Sequence, residues 1–395
     1  MIANAIHAGP DSDLRPGGLA DFDNLRITYS KGGAEFALPA LTQFGVIGEH
    51  SFGVVGMSSQ KVPAEQSGSA NDCCRTGTKT PLAPSAKSAR GVVGALDACL
   101  RAYTVEAAFV EQLEQNGTGD AASIGMTAFD GDDYDDESTI LILPGDTPLL
   151  QANTLDELVA THVANGNAAT LLTSIMDDPT GYGRVVRSRD GQVQRIVEQR
   201  DASPEELDMS EVCTSIYAFR RDLLGPALRT LTTDNAQGEY YLTDVIAALA
   251  EMGHRVGCVQ APAPETQGVN DRWQLALAER ELRARTNRKW LLNGVTMLDP
   301  RQTFIDVNVT IGRDVTIYPG TILQGATTVG DGCEIGPGAQ LVDCAVGAGA
   351  KIVHAVGHDA EVGTDAVVGP YAHLPAGSSV TSESVTGAFY TSPVD

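Results

Sequence analysis

Residues 311–341 read IGRDVTIYPGTILQGATTVGDGCEIGPGAQL, and an aliphatic side chain returns at every sixth position: Ile311, Ile317, Leu323, Val329, Ile335 and Leu341. The residue after the aliphatic is often a glycine, as in Ile311-Gly312, Val329-Gly330 and Ile335-Gly336. This hexapeptide repeat predicts a triangular left-handed parallel β-helix in which each aliphatic points into a prism too narrow for polar atoms. The pattern resumes less regularly as Val346, Ile352, Val356, Val362, Val368, Leu374 and Val380. About 75 residues at about 18 per coil predict roughly four coils, a short solenoid. An ordinary glycine-rich β-domain is the alternative, and six strict repeats in succession disfavour it.

Upstream, Asp271–Leu292 (DRWQLALAERELRARTNRKWLL) has helix formers throughout and no Gly or Pro, which predicts a long connecting helix. From about residue 138 strand and helix signals alternate. Thr139–Leu143 (TILIL) is a short apolar run, and Thr154-Leu155-Asp156-Glu157 has the form of a capping box opening a helix to about Asn165. Such alternation implies an α/β fold with a mostly parallel sheet covered by helices, and these sheets bind ligands at the carboxyl ends of their strands, where Gly145-Asp146 falls. Residues 58–90 are rich in Ser, Ala, Gly, Thr and Lys without a countable period, and read as a loop insertion; Lys61, Arg75, Lys79, Lys87 and Arg90 make it a basic island. The expected organisation is an α/β domain over 1–270, a linker helix over 271–293 and the β-helix over 294–395.

Charge narrows the partners. The chain has 395 residues with 27 Lys and Arg against 51 Asp and Glu, a net charge of -24. That argues against binding nucleic acid or an anionic membrane through bulk charge, since both need a basic face. No charged and apolar leader opens the sequence and no apolar run approaches a membrane span, so a cytoplasmic location is expected. The seven cysteines show no CxxC spacing, which suits a reducing compartment better than a disulfide frame or zinc site.

The run Leu141–Pro148 (LILPGDTP) ends a buried strand with glycine and then a carboxylate, so Asp146 emerges where a hard cation sits in many nucleotide enzymes; a structural turn-capping Asp would look the same. Asn270, in Gly268-Val269-Asn270, offers a second oxygen, and Mg²⁺ takes one or two such ligands together with phosphate and water.

The motifs DPTGYGR (178–184), IVEQRD (196–201), NAQGEYYLTD (235–244) and GVND (268–271), in that order after GDTPLL and before hexapeptide repeats, carry a family resemblance. From about Val110 to Leu374 the chain resembles the bacterial bifunctional N-acetylglucosamine-1-phosphate uridyltransferase/glucosamine-1-phosphate acetyltransferase. The resemblance implies a Rossmann-like nucleotidyltransferase domain, a linker helix and a trimerising left-handed β-helix. It implies in-line attack of N-acetylglucosamine-1-phosphate on the α-phosphate of UTP, giving UDP-N-acetylglucosamine for peptidoglycan precursors, with positioning and charge neutralisation as the means of catalysis. It further implies Asp146 and Asn270 as the Mg²⁺ pair, Asp146 being catalytic in that sense; Gln112, Gly117 and Thr118 as uracil contacts; and Gly183, Glu198 and Thr243 as sugar contacts.

Several positions depart from the family. The glycine-rich phosphate loop finds its best match in Ala8–Leu14 (AGPDSDL), where Pro10 lacks an N–H and Asp11 and Asp13 would repel a triphosphate. The family's following lysine falls near Ala20, and Cys213 stands where the family has an Asn contacting the sugar. Leu374-Pro375-Ala376-Gly377 lacks the acetyltransferase arginine, and Tyr390–Pro393 after Gly387-Ala388-Phe389 lacks its lysine, so that half is expected to be shortened and inactive. His354, His358 and His373 read as solenoid-surface residues. Two alternatives to the uridyltransferase follow: a catalytically dead sugar-nucleotide-binding or scaffold remnant, and a transferase for another sugar-1-phosphate. One rescue of the altered loop has Arg75–Lys79 or its neighbours meeting the phosphates.

Overall fold

The computed structural model describes residues 7–8, 52–57, 110, 112, 114–128 and 138–392. The basic island, the loop Gly9–Leu14, Ala20 and three of the cysteines therefore lie outside the described residues. The chain divides into two compact units, 1–275 and 276–395.

The first unit contains β1 (His7–Ala8), β2 (Phe52–Met57), α1 (Thr118–Met126), β3 (Thr139–Pro144), α2 (Ala152–Ala164), β4 (Ala169–Ile175), β5 (Gly183–Arg187), β6 (Val193–Val197), α3 (Pro204–Leu207), β7 (Glu211–Arg220), α4 (Arg221–Leu228), α5 (Asp244–Glu251), β8 (Val256–Gln260) and α6 (Ala263–Thr266). Its central sheet runs β1-β2-β3-β7-β4-β8, with the β5–β6 hairpin attached to β7. The expectation of a mostly parallel sheet needs correction. β2 pairs with β3, and β4 with β8, in parallel, but β7 is antiparallel to both β3 and β4, so the sheet is mixed. Hydrophobic runs alone do not reveal strand direction, and EVCTSIYAFR reads the same either way. One face of the sheet, with Ile140, Ile142, Leu171, Tyr217 and Phe219, packs under α1, α4 and α5 through Ala121, Leu224, Val245 and Ile246.

A second correction concerns α2. The helix starts at Ala152 with Gln151 as its N-cap, so Thr154 lies inside the first turn. The Thr154 hydroxyl instead donates to buried Glu265 Oε2 at 2.6 Å, and Gln151 Nε2 donates to Oε1 of the same carboxylate at 2.6 Å. A tertiary acceptor outcompetes the local capping bond and ties the start of α2 to α6.

In the second unit, three parallel five-stranded sheets form the walls of the left-handed β-helix, one strand per wall in each of five turns. This is one turn more than the sequence count, because Thr296–Met297 and Thr303–Ile305 already supply two walls of a first coil that Thr310–Ile311 completes. Ile317, Leu323, Ile335, Leu341, Ile352, Val368 and Leu374 are fully enclosed in the prism. Coil length varies: Ile305 pairs with Leu323 and Leu323 with Leu341, 18 apart, but Leu341 pairs with Gly357 and Gly357 with Leu374, 16 and 17 apart. The shorter coil corrects the assignment of Val356 to the interior. Val356 is exposed and Gly357 faces inward, its missing side chain replaced by Leu341 Cδ2 and Cys344 Sγ.

Chain direction changes at corners where backbone is left-handed. One column holds Gly320, Gly338, His354, Tyr371 and Phe389, all at positive φ. The last three stack with ring centroids 5.4 and 5.3 Å apart, in an offset parallel arrangement that favours aromatic pairs. His354, His358 and His373 lie on the solenoid surface.

The helix α7 (Arg272–Leu292) leads into the solenoid. Within the second unit, Trp290 packs on the prism core and Asn287 is buried, its Nδ2 donating to the carbonyls of Pro300 at 2.7 Å and Thr303 at 2.9 Å. Arg283 lies 4.3 Å over the Phe304 ring, a cation–π contact. The apolar end of the prism is thereby closed by a mainly polar helix. None of the described helices is long and apolar enough to cross a membrane.

Candidate active site

Asp146 stands two residues beyond β3, and burial pushes its carboxyl up from 3.8 to about 6. Its carbonyl accepts from Val269 N at 2.8 Å, which draws the Gly268–Asn270 segment to the strand end. Gly268 is the point of convergence. A Cβ there would stand 3.4 Å from Asp146 Oδ2 and 3.9 Å from Asn270 Nδ2, so both side chains border the space that glycine leaves open. No cluster of three His, Cys, Asp or Glu side chains suited to a metal ion occurs among the described residues. One carboxylate and one carboxamide at a strand end fit Mg²⁺, a hard cation that keeps waters and phosphate oxygens as its other ligands.

A second cluster lies where β5, β6, β7 and the start of α5 meet. Gly183 pairs with Cys213 across β5–β7, and a Cβ at 183 would lie 3.6 Å from Glu198 Oε1 and 2.8 Å from Ile196 Cγ2. The Thr243 hydroxyl donates to Glu198 Oε1 at 3.0 Å. Burial raises the Glu198 pKa, the Thr243 hydrogen bond lowers it, and the charges of Asp244 and Asp201 raise it. Cys213 forms buried floor beside this carboxylate: its thiol donates to Tyr217 Oη at 3.3 Å, and burial pushes it up to about 12, so it is no thiolate nucleophile at neutral pH. Gly183, Glu198 and Thr243 thus adjoin one another and bring together a carboxylate acceptor, close backbone and a hydroxyl.

The third group is built by zipping 116–119 against 240–242. Tyr240 N donates to Asn116 O at 2.7 Å, Gly119 N to Tyr240 O at 2.8 Å, and Leu242 N to Thr118 Oγ1 at 2.9 Å. Only glycine fits at 117, where φ is 111° and a Cβ would fall 2.5 Å from Tyr240 O. Buried Gln112 donates to Asp120 Oδ2 at 2.6 Å and to Gly117 O at 3.3 Å, while its own Oε1 has no hydrogen-bond partner among the described residues. A buried carboxamide oxygen without a donor is the acceptor that an imide N–H of a base would satisfy. Thr118 and Thr243 therefore stand on adjoining segments, joined through 240–242.

Residues outside the expected set also shape these edges. Asn235 folds the 235–239 turn, its Nδ2 donating to Glu239 O and its Oδ1 accepting from Gln237 N and Glu239 N. Asp201 accepts from Ala236 N at 2.8 Å and from the Tyr241 hydroxyl at 3.2 Å. Their signal in the sequence was membership of the same motifs, with nothing to separate a loop-folding polar residue from a ligand-facing one.

A mixed α/β sheet followed by a hexapeptide solenoid defines a nucleotidyltransferase-type domain joined to a transferase-type hexapeptide β-helix. Residues 71–273, just over half of the chain, match the nucleotidyl transferase family, and 308–342 match the bacterial transferase hexapeptide repeats. The chain belongs to the nucleotidyl transferase family and within it is GlmU-like. It is 48% identical over 279 residues to the bifunctional protein GlmU of Corynebacterium efficiens, covering 70% of this chain and 57% of that protein. The GlmU proteins of Caldanaerobacter subterraneus (48% over 238 residues, 60% and 52% covered) and Streptomyces avermitilis (46% over 280, 70% and 58%) are similarly related. The aligned part spans little more than half the length of these curated relatives.

Proposed function

We propose that this chain is a Mg²⁺-dependent uridyltransferase that transfers UMP from UTP to N-acetylglucosamine-1-phosphate, releasing pyrophosphate and supplying a peptidoglycan precursor in the cytoplasm. The observation that carries this reading is the convergence of Asp146 and Asn270 on the open face of Gly268. Those two residues would hold the cation, which when bound neutralises phosphate charge. The remaining work is positioning. Glu198, oriented by Thr243, accepts from sugar hydroxyls or an amide, and the glycine at 183 lets the sugar approach the backbone. Gln112 Oε1 accepts from the uracil imide while the 117–118 turn holds the base. The attacking oxygen already belongs to a phosphate, so no protein base is required to activate it. The β-helix is proposed to assemble as a homotrimer.

The test is pyrophosphate release from UTP and N-acetylglucosamine-1-phosphate with Mg²⁺, run beside Asp146→Ala. Release by the wild-type protein and its loss in the variant support the transferase. No release from folded wild-type protein favours the second reading, a sugar-nucleotide-binding remnant, for which Asp11 and Asp13 in place of a phosphate-cradling loop are the specific observation. A panel of sugar-1-phosphates tests Cys213 as a mark of a different sugar. Acetyl transfer is not proposed for this chain, because Pro375-Ala376 and Tyr390–Ser392 lack the cations that the family resemblance calls for.

A further inference from the structure

Tyr182 has no part in the reading above, yet it joins two of its clusters. It immediately precedes Gly183, in a turn closed by Tyr182 N donating to Pro179 O at 3.2 Å. Its half-buried phenol reaches the other segment, where Gly268 N donates to the Tyr182 hydroxyl oxygen at 3.4 Å. The hydroxyl lies near Asp146: burial raises its pKa, the Gly268 hydrogen bond lowers it, and the Asp146 charge raises it.

The segment that carries Asn270 is thus held at two successive backbone donors. Val269 N is held by the Asp146 carbonyl, a main-chain bond that no side-chain substitution removes. Among the described residues, the partner of Gly268 N is the Tyr182 phenolic oxygen. Gly268 is also the residue whose open face Asp146 and Asn270 border, so a shift there changes the spacing of the two side chains. The gap tolerates little movement, because Mg²⁺ demands near-ideal octahedral geometry.

We propose that Tyr182 is a positioning residue for the Asp146–Asn270 cation pair, its hydroxyl fixing Gly268 so that the two ligands keep their spacing. The proposal rests on the reading of that pair as a divalent-cation site. Its test is Mn²⁺ binding, followed by the electron paramagnetic resonance of the free ion, for wild-type protein, Tyr182→Phe and Asp146→Asn, with no substrate present. Tyr182→Phe is expected to weaken Mn²⁺ about fivefold, the worth of one neutral hydrogen bond, in protein that circular dichroism shows to be folded. Asp146→Asn is expected to abolish binding. Wild-type affinity in Tyr182→Phe overturns the proposal, and a lowered melting temperature with unchanged Mn²⁺ affinity overturns it in favour of a purely structural tyrosine. Failure of the wild-type protein to bind Mn²⁺, or undiminished binding by Asp146→Asn, overturns the cation site itself and the proposal with it.

Discussion

The Thr243 hydroxyl donates to Glu198 Oε1 at 3.0 Å, and this bond works against the burial that drives the carboxyl toward its neutral form. Glu198 therefore titrates above the ordinary carboxylate range, but lower than it would without the Thr243 bond. Thr243→Val keeps the shape and deletes the donor, so the Glu198 pKa rises further. The acid limb of kcat/KM should move to higher pH, and the sugar-phosphate KM at pH 6 should rise about tenfold, since a hydrogen bond to a charged group is worth about 1.5 kcal/mol or more. The gap should narrow as pH rises and ionisation of Glu198 becomes more complete in both proteins. A pH–rate profile of each checks this, and an unmoved limb would mean that catalysis does not need Glu198 charged.

Gly183→Ala puts a methyl group 2.8 Å from Ile196 Cγ2 and 3.6 Å from Glu198 Oε1. The first contact demands that a core side chain yield, at about 1–3 kcal/mol, and the second crowds the Glu198 carboxylate. The expected result is a lower melting temperature and a KM for the sugar phosphate raised by an order of magnitude, with KM for UTP little changed. Steady-state kinetics with each substrate varied in turn separate these outcomes.

Sequence periodicity made the solenoid legible because its interior is one-dimensional: Ile317, Ile335 and Ile352 line a prism that admits one aliphatic per face. The same logic failed at Val356, where shortening by two residues shifts the register and no local signal marks which of two neighbours turns inward. Thr154 followed by Glu157 looked like a helix start because capping is a local pattern, whereas its true acceptor, Glu265, is 111 residues away. The direction of β7 was invisible for a related reason, since pairing is decided by partners and not by the strand's own residues. At the site, Asp146, Glu198 and Thr243 could be named from motifs; that the Tyr182 hydroxyl meets Gly268 N follows only from how the β5 turn folds over the 268–270 segment.

Asn287 is the polar residue that fixes α7 to the first coil. Asn287→Ala removes donors from the Pro300 and Thr303 carbonyls and leaves them unpaired at a buried contact. A cost of about 2 kcal/mol is expected, because unsatisfied buried acceptors carry their full desolvation penalty. Denaturant unfolding followed by Trp290 fluorescence, with Trp273→Phe as the common background, reads this directly. Uridyltransfer should be unaffected at temperatures where the variant stays folded.

His162 supplies a stability change that pH alone reveals. The ring is buried between α2 and β4, with Nδ1 2.9 Å from Thr170 Oγ1 and Nε2 without a hydrogen-bond partner among the described residues. Burial, with the Arg220 charge adding to it, lowers its pKa from 6.5 to about 4. The unfolded chain therefore binds a proton between pH 6.5 and 4 that the folded chain refuses. Stability from this site is fully present above pH 6.5 and is lost as pH falls toward 4, by a total of about 3 kcal/mol at 1.36 kcal/mol per pKa unit. His162→Gln has nothing to titrate, so urea midpoints of variant and wild type should differ by a constant above pH 7 and converge or cross as pH falls to 4.5. Parallel curves across that range would show that His162 is protonated in the folded protein or unburied before it unfolds.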